Sequence, residues 1–411
     1  HSERGVTFGP EVPVVVGASA SWDTPAPVNC HQVALRLAER GHRVLYVEST
    51  GLRAPSPLRA SHDLSRMLRR IRGFLGGVRP VAPNLQVLSP VALPGVGSRG
   101  LRELSMRVIG RSAAGAARRL GLARPVLWAF LPTYLRTVDA LDPRLVVYHC
   151  VDRYAGNPGV DAAWVDEVER RMLRRADLVF ATSPVLAERL ALERPDVELA
   201  ANVADVDLFG RAVTEELPEP EELQGLPPQR AVFVGNLARY RIDFDLLLAV
   251  VRCHPELQLV LIGVEGLGDV GAPSGSRSQL LAMPNVRAIG PRPQCDLPAY
   301  LRHCQVALIP FLDNDHTRSS LPLKLWESLA AGLAVVTTDL PNFRSLAEEG
   351  LIRTARDPQG FADAVGDSLG DPSDQREHRL ARARGHDWRS QMERLCSSVE
   401  RGLDSRSEGR Q

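Results

Sequence analysis

Of the 50 basic side chains in this 411-residue chain, 49 are arginine and one is lysine, Lys324. A coding bias towards arginine replaces lysine wherever positive charge alone matters. A surviving compact ammonium therefore suggests a place where a broad guanidinium does not fit. Lys324 lies in the stretch Ser319 to Pro341, SSLPLKLWESLAAGLAVVTTDLP. There a polar loop after Phe311 leads into a helix starting near Leu321. The free N–H groups of a helix start, together with its dipole, form an anion site, and Ser320 to Leu323 would supply them. Lys324 in the first turn adds a point charge. Glu327 follows three residues later, on the same face one turn on. A carboxylate there cannot bind phosphate, but it can accept hydrogen bonds from the two vicinal hydroxyls of a ribose. A phosphate groove and a diol acceptor on one helix point to a nucleoside diphosphate; an ordinary surface ion pair is the bland alternative.

Other chemistry is thinner. The six cysteines, Cys30, Cys150, Cys253, Cys295, Cys304 and Cys396, make no C-x-x-C pair and have no histidines at zinc spacing. They read as reduced thiols of a cytoplasmic protein. Asp313-Asn314-Asp315 has the form of a D-x-D metal motif, but its position before a phosphate-binding helix favours an exposed Asx-rich turn. No metal and no cofactor are expected. The loop Gly17 to Asp23, GASASWD, lacks the G-x-G-x-x-G of a dinucleotide site. Trp22, Asp23 and His31 near it are candidates to line an acceptor cleft, with a packed tryptophan as the alternative.

The elements that would position these residues follow from the hydrophobic pattern. Pro13–Val16, Arg43–Ser49, Asn84–Val91, Pro125–Leu131, Arg144–Asp152 and Asp177–Ser183 are short apolar runs separated by helical spacing, as at Val28–Arg40 and Ala162–Arg175. The same grammar restarts at Ala231–Asn236 and continues through Leu257–Gly263, Val286–Gly290, Val306–Phe311 and Ala334–Asp339. Continuous apolar strands alternating with helices mean parallel sheets covered on both faces. The expected fold is therefore α/β, two Rossmann-like parallel-sheet domains facing across a cleft. The expected boundaries are 11–210 for the first domain, 211–229 for an acidic, proline-rich linker, 230–374 for the second domain and 375–403 for a crossover helix packing back across the domains.

Bulk charge narrows the partners. A net charge of +1, with 44% hydrophobic residues, excludes a globally basic nucleic-acid binder and an acidic disordered chain. Charge is uneven, however. Residues 51–125 hold fourteen arginines against Asp63 and Glu103, a local +12, and Leu64–Leu75 is amphipathic at helical spacing. An anionic acceptor or peripheral contact with the inner membrane face is one reading, and a solvated arginine face is the other.

The Ser319–Pro341 stretch resembles the donor-binding motif of GT-B glycosyltransferases of the family-4-like, bacterial group 1 type, in which PLK-x-x-E-x-x-A-x-G is frequent. Val146–Tyr154, Ala176–Leu190, Ala200–Phe209 and Val234–Leu247 resemble further segments of that family, so the likeness covers most of the chain. The resemblance implies that the first domain, 11–210, is the acceptor domain and the second, 230–374, the donor domain. It implies that Gly235 and Asn236 let the backbone approach the donor. It implies that Arg239 or Arg241, with Lys324, neutralises the diphosphate. Pro291, Arg292 and the residues up to Gln294 would line the base, Ser320, Leu321 and Leu323 would face the phosphate, and Glu327 would hold the ribose. Asp152 or His149 would face the anomeric carbon or the acceptor. Two departures stand out. Ser319 occupies the position where many members carry a sugar-contacting glutamate, and Val203 replaces a common glycine. The function implied is transfer of a hexose from a UDP- or GDP-sugar to a small-molecule or lipid-linked acceptor, with the nucleotide sugar as co-substrate. A nucleotide-sugar epimerase and a non-catalytic nucleotide-sugar binding protein are the alternatives.

Overall fold

The computed structural model describes residues 8–24, 27–49, 77–90, 98–157, 159–264, 266 and 275–408. The amphipathic stretch Leu64–Leu75 lies outside these residues, as does much of the arginine-rich segment. The chain divides into two compact units, His1–Ala201 with Met392–Gln411, and Asn202–Gln391.

In the first unit the strands are β1 (Val14–Gly17), β2 (Val44–Val47), β3 (Val78–Ala82), β4 (Leu85–Leu88), β5 (Val126–Ala129), β6 (Leu145–Cys150), β7 (Leu178–Ala181) and β8 (Val197–Leu199). They form one sheet in the order β3-β4-β2-β1-β5-β6-β7-β8. Every pairing is parallel except the β3–β4 hairpin. Its turn places Asn84 at φ 60°, the left-handed region that asparagine tolerates. β1, β2, β5 and β6 are buried along their whole length, which explains why they read as unbroken apolar runs rather than alternating ones. The short outer strands β3 and β8 are only half-buried, and neither stands out in the hydrophobic pattern.

The second unit contains β9 (Arg230–Val234), β10 (Gln258–Ile262), β11 (Val286–Gly290), β12 (Val306–Ile309), β13 (Ala334–Thr338) and β14 (Arg353–Ala355). Their order is β11-β10-β9-β12-β13-β14, and all pairings are parallel. The order reverses between β9 and β12. Loops leaving the carboxyl ends of strands at such a switch point diverge and open a crevice, where ligands bind in open α/β sheets. The loops in question are those that begin at Gly235 and that lead to Lys324.

Local signals set the helices here. Asp243 caps the Phe244–Cys253 helix by accepting from the amides of Asp245 and Leu246; such a cap contributes about 1 kcal/mol. The Leu323–Ala330 helix starts after Pro322 and ends at Gly332, φ +79°. The Gly332 amide bonds Leu329 O and the Leu333 amide bonds Ser328 O, a paired closure that needs the left-handed glycine. Leu325, Trp326 and Leu329 are buried, and burying each leucine is worth about 2 kcal/mol. That burial fixes the helix rotation and leaves Lys324 and Glu327, both half-buried, on the other side.

Two expected boundaries change. Residues 211–229 do not connect the units, because the division falls between Ala201 and Asn202. The Val206–Thr214 helix instead packs on the Leu297–Arg302 and Leu323–Ala330 helices. Phe209, Ala212 and Leu223 join the second core, and Arg230 pairs with Glu219 at 2.6 Å. Apolar residues within the acidic stretch outweigh its linker composition. The expected single tail helix is two. Ser373–Arg384 belongs to the second unit, held by Arg379 to Asp371 at 2.8 Å, while Arg353 reaches the same carboxylate at 2.6 Å. Trp388–Glu408 then runs from the second unit into the first. In the first unit its Gly402 lies against Leu145 and Leu178, and Arg406 pairs with Asp177 at 2.8 Å.

Candidate functional site

The geometry of the second unit gathers around Lys324. Its Nζ stands 4.3 Å from the centre of the Phe233 ring and 5.8 Å from that of Phe311, residues at the ends of β9 and just beyond β12. Arg241 lies 5.4 Å from the same Phe311 ring. The aromatic faces soften the cost of burying an ammonium. They do not remove it: burial, reinforced by the Arg241 charge, pulls the Lys324 amine down to about 7, while Glu327 works in the opposite sense. Two cations thus share one half-dry corner with no carboxylate paired to either among the described residues, an arrangement suited to an anion.

Gly235 explains why the corner accommodates a ligand. Its φ of +139° is closed to ordinary side chains, and a Cβ there would overlap Lys324 Nζ. Gly263, φ +147°, is needed for a related reason, since a Cβ would overlap the Gly235 carbonyl. Asn236 and Arg239 are half-buried in the same loop. The loop returns to the sheet at Ile242, which bridges to Phe311, with the Leu312 amide on Arg241 O at 2.8 Å.

Glu327 is pushed up to about 7 by burial, against the opposing pull of Gln294 and Lys324. Gln294 Nε2 donates to its Oε1 at 3.0 Å. Of the segment expected to line a base, Pro291 is exposed. The Arg292 guanidinium is engaged elsewhere, pairing with Glu222 and donating from Nε to Tyr300 Oη at 2.9 Å. Asn202 Nδ2 holds the Leu321 carbonyl, which fixes the chain entering the helix. Ser320 and Leu321 are buried and Leu323 half-buried. Ser319, at the position of the family glutamate, turns its hydroxyl back on the carbonyls of Asp315 and His316 at 3.1 and 3.0 Å. In the Asp313–Asp315 turn, Asn314 caps the Asp315–Arg318 helix through the amides of His316 and Thr317, and Asp313 pairs with Arg318.

The first unit gathers a second group at the carboxyl end of β1. Residues 18–22 are tied by Tyr134 Oη to Ala18 O at 3.1 Å, Tyr46 Oη to Ala20 O at 2.9 Å, and the Trp22 amide to Glu48 Oε1 at 2.7 Å. His31 is buried, with Nε2 3.0 Å from Ser21 O, and its ring lies 5.4 Å from that of Trp22. Asp23 is exposed and pairs with Arg79 at 2.7 Å. His31 therefore shapes the loop, while Trp22 and Asp23 stand nearer the surface. Asp152 follows β6 and is half-buried.

His149 is corrected. It is 2% exposed, stacked 4.9 Å from Phe130 and flanked by Trp128 and Phe180. Its Nδ1 accepts from Trp128 Nε1 at 3.3 Å, and Nε2 is buried without a partner. Burial alone drops it to about 3. A neutral core histidine with no solvent-facing nitrogen cannot take a proton from an acceptor, so of the Asp152/His149 pair only Asp152 remains a candidate. Both faces of β6 are covered, so a side chain on either face is sealed from solvent.

Sequence reasoning did not single out Phe233 and Phe311 as the seat of the ammonium, nor Gln294 as a partner of Glu327. The two phenylalanines each end an apolar run beside a loop, which was the available signal. Gln294 carried none, because its partner lies 33 residues away.

Comparison with known proteins agrees with this geometry. Residues 228–371 match the model of the family described as glycosyl transferases group 1. A putative teichuronic acid biosynthesis glycosyltransferase, TuaH of Bacillus subtilis, is 26% identical over 282 residues, covering 64% of this chain and 69% of that protein. Among solved structures, a sucrose-phosphate synthase from Thermosynechococcus elongatus superposes with a TM-score of 0.66 at 16% identity, over 96% of this chain and 99% of that one. HepE of Anabaena, in complex with UDP-glucose, gives 0.66 at 14% identity, over 94% and 99%. The switch-point site, the matched domain and these likenesses converge: residues 228–371 are similar to the glycosyl transferases group 1 domain, the chain has the GT-B fold, and the protein is a glycosyltransferase.

Proposed function

We propose that the protein transfers a hexose from a nucleoside-diphosphate sugar, of the UDP type, to an acceptor that is a small molecule or lipid-linked and carries negative charge. The observation that carries the donor reading is Lys324 Nζ, seated on Phe233 beside Gly235, with Glu327 one turn further along the same helix. As the sugar–phosphate bond breaks, charge grows on the departing diphosphate. Lys324, Arg241 and the amides at the start of the Leu323–Ala330 helix would stabilise that charge better than water does, because they are already oriented. Glu327 would hold the ribose, and Gly235 and Asn236 would admit the phosphates against bare backbone. Asp152 would contact the acceptor, as its base if the reaction inverts the anomeric centre. The choice of UDP draws support from the UDP-glucose complex of HepE.

The acceptor reading rests on the arginines of the Arg99–Arg119 helix and on the name of the TuaH relative, which concerns teichuronic acid biosynthesis. Arg102 and Arg107 of that helix are paired with Asp161 and Glu103, and Leu101 and Leu104 are each 42% exposed beside them. With those two arginines neutralised, the exposed Arg111, Arg118 and Arg119 of the same helix carry the attraction to an anionic acceptor or surface, and peripheral membrane contact through this region belongs to the same proposal. Among the described residues no helix is long and apolar enough to cross a membrane.

A thermal-shift panel of UDP, GDP, ADP and dTDP tests the donor, followed by donor-hydrolysis assays on Lys324→Arg and Glu327→Ala. Stabilisation by UDP and loss of turnover in both variants are expected. Wild-type turnover in both would end the assignment. Release of an altered nucleotide sugar without acceptor would replace it with the epimerase.

A further inference from the structure

A carboxylate that accepts two ribose hydroxyls must be ionised and must present its oxygens in one plane towards the sugar. Glu327 is half-buried on a short helix, and nothing in its own backbone enforces either condition. The bond from Gln294 Nε2 to Glu327 Oε1, 3.0 Å long, orients the carboxylate and favours its ionised form. Gln294 sits in the short Gln294–Asp296 turn that follows β11, on a different element from its partner, and the strand order brings the two together.

Resting on the nucleotide reading above, we propose that Gln294 is a positioning residue for the donor, its amide fixing the Glu327 carboxylate in the orientation that accepts the ribose diol. A carboxylate offers about four lone-pair directions. The amide occupies one of them on Oε1 and leaves Oε2 and the remaining direction for hydroxyls. Neutral glutamine suits this task. An arginine or lysine would compete with Lys324 for the diphosphate, and a carboxylate would repel the group it is meant to orient.

The surroundings give Gln294 a second effect. The charged groups acting on Glu327 are Lys324 on its own helix, which favours the carboxylate, and Asp205 at the start of the Val206–Thr214 helix, which opposes it. From the Ser373–Arg384 helix, Arg382 lies 5.8 Å from the Trp326 ring, and His386 stacks on that ring at 3.7 Å. Trp326 belongs to the buried face of the helix rather than to the Glu327 face. Burial is the largest influence on Glu327 and the Gln294 bond is the strongest one opposing it, so removal of that bond raises the pH at which Glu327 ionises.

The experiment uses the full chain with Gln294→Leu, Glu327→Gln and the double variant, and UDP and 2′,3′-dideoxy-UDP as probes in calorimetric titrations at several pH values. Gln294→Leu should weaken UDP about tenfold at pH 7, in line with a hydrogen bond to a charged group. The loss should be smaller at pH 8.5, and dideoxy-UDP binding should not change. The double variant should bind UDP no worse than Glu327→Gln alone. A readout without ligand accompanies it: the Glu327 carboxyl, followed by infrared difference spectroscopy against Glu327→Gln, should ionise at higher pH in Gln294→Leu. Equal losses for both nucleotides, additive losses in the double variant, or an unmoved carboxyl titration would each overturn the proposal. If the wild type bound no nucleoside diphosphate, the donor reading would fall and this proposal with it; a shifted carboxyl titration would then show that the contact exists and that the error lies in the ligand.

Discussion

Replacing Lys324 with methionine should make the protein more stable and unable to hold its donor. Burial lowers the amine from 10.5 to about 7. At about 1.4 kcal/mol per decade, that corresponds to about 5 kcal/mol against the charged form at neutral pH. Water still touches the half-buried side chain, so about 2 kcal/mol of it is expected to reach the fold. Methionine keeps the apolar stem on Phe233 and Phe311 and has no charge to desolvate. For the Asn202–Gln391 unit, with about 190 residues, a gain of about 2 kcal/mol raises the melting temperature by about 4–8 °C. The sign follows from proton counts. Between pH 7 and 10.5 the unfolded chain binds a proton at Lys324 that the folded chain does not, so this lysine costs most at low pH and least at high pH. The stability advantage of Lys324→Met should therefore shrink as pH rises from 7 towards 10. Differential scanning calorimetry across that range, with and without UDP, measures both effects. A variant that melts lower than wild type at pH 7, or that is still stabilised by UDP, would refute the reasoning.

Three further outcomes follow from the same geometry. Donor binding should be bell-shaped in pH around 7, because it needs Lys324 protonated and Glu327 ionised, and both titrate at about 7; Glu327→Gln should remove the acid limb, read as the Kd for UDP against pH. Gly235→Ala should raise the donor KM by more than about tenfold, through the φ of +139° and the overlap with Lys324 Nζ, while far-ultraviolet circular dichroism stays unchanged. His149→Phe should keep turnover within a few-fold yet lower stability by about 1–3 kcal/mol in urea unfolding, since Trp128 Nε1 loses its acceptor. A drop of about a hundredfold or more in kcat would restore His149 as a proton acceptor.

Much of this molecule was written locally. The buried strands announce themselves as unbroken apolar runs because both faces of each are covered, and Asp243 and Gly332 mark helix ends, the one through its capping carboxylate and the other through its left-handed backbone. Lys324 and Glu327 share a helix face because three residues are nearly one turn, a relation independent of the rest of the fold. Tertiary structure decided which groups meet them. Asn202 reaches Leu321 across 119 positions, and Gln294 reaches Glu327 across 33, because the strand order sets β12 beside β9 and not beside β11, its predecessor in sequence. It also sealed His149 in the first core and drew residues 206–229 onto the second, against their polar composition. Spacing along a chain governs neighbours within a turn of helix. Burial and long-range partners depend on strand order, which is set by the packing of every element at once.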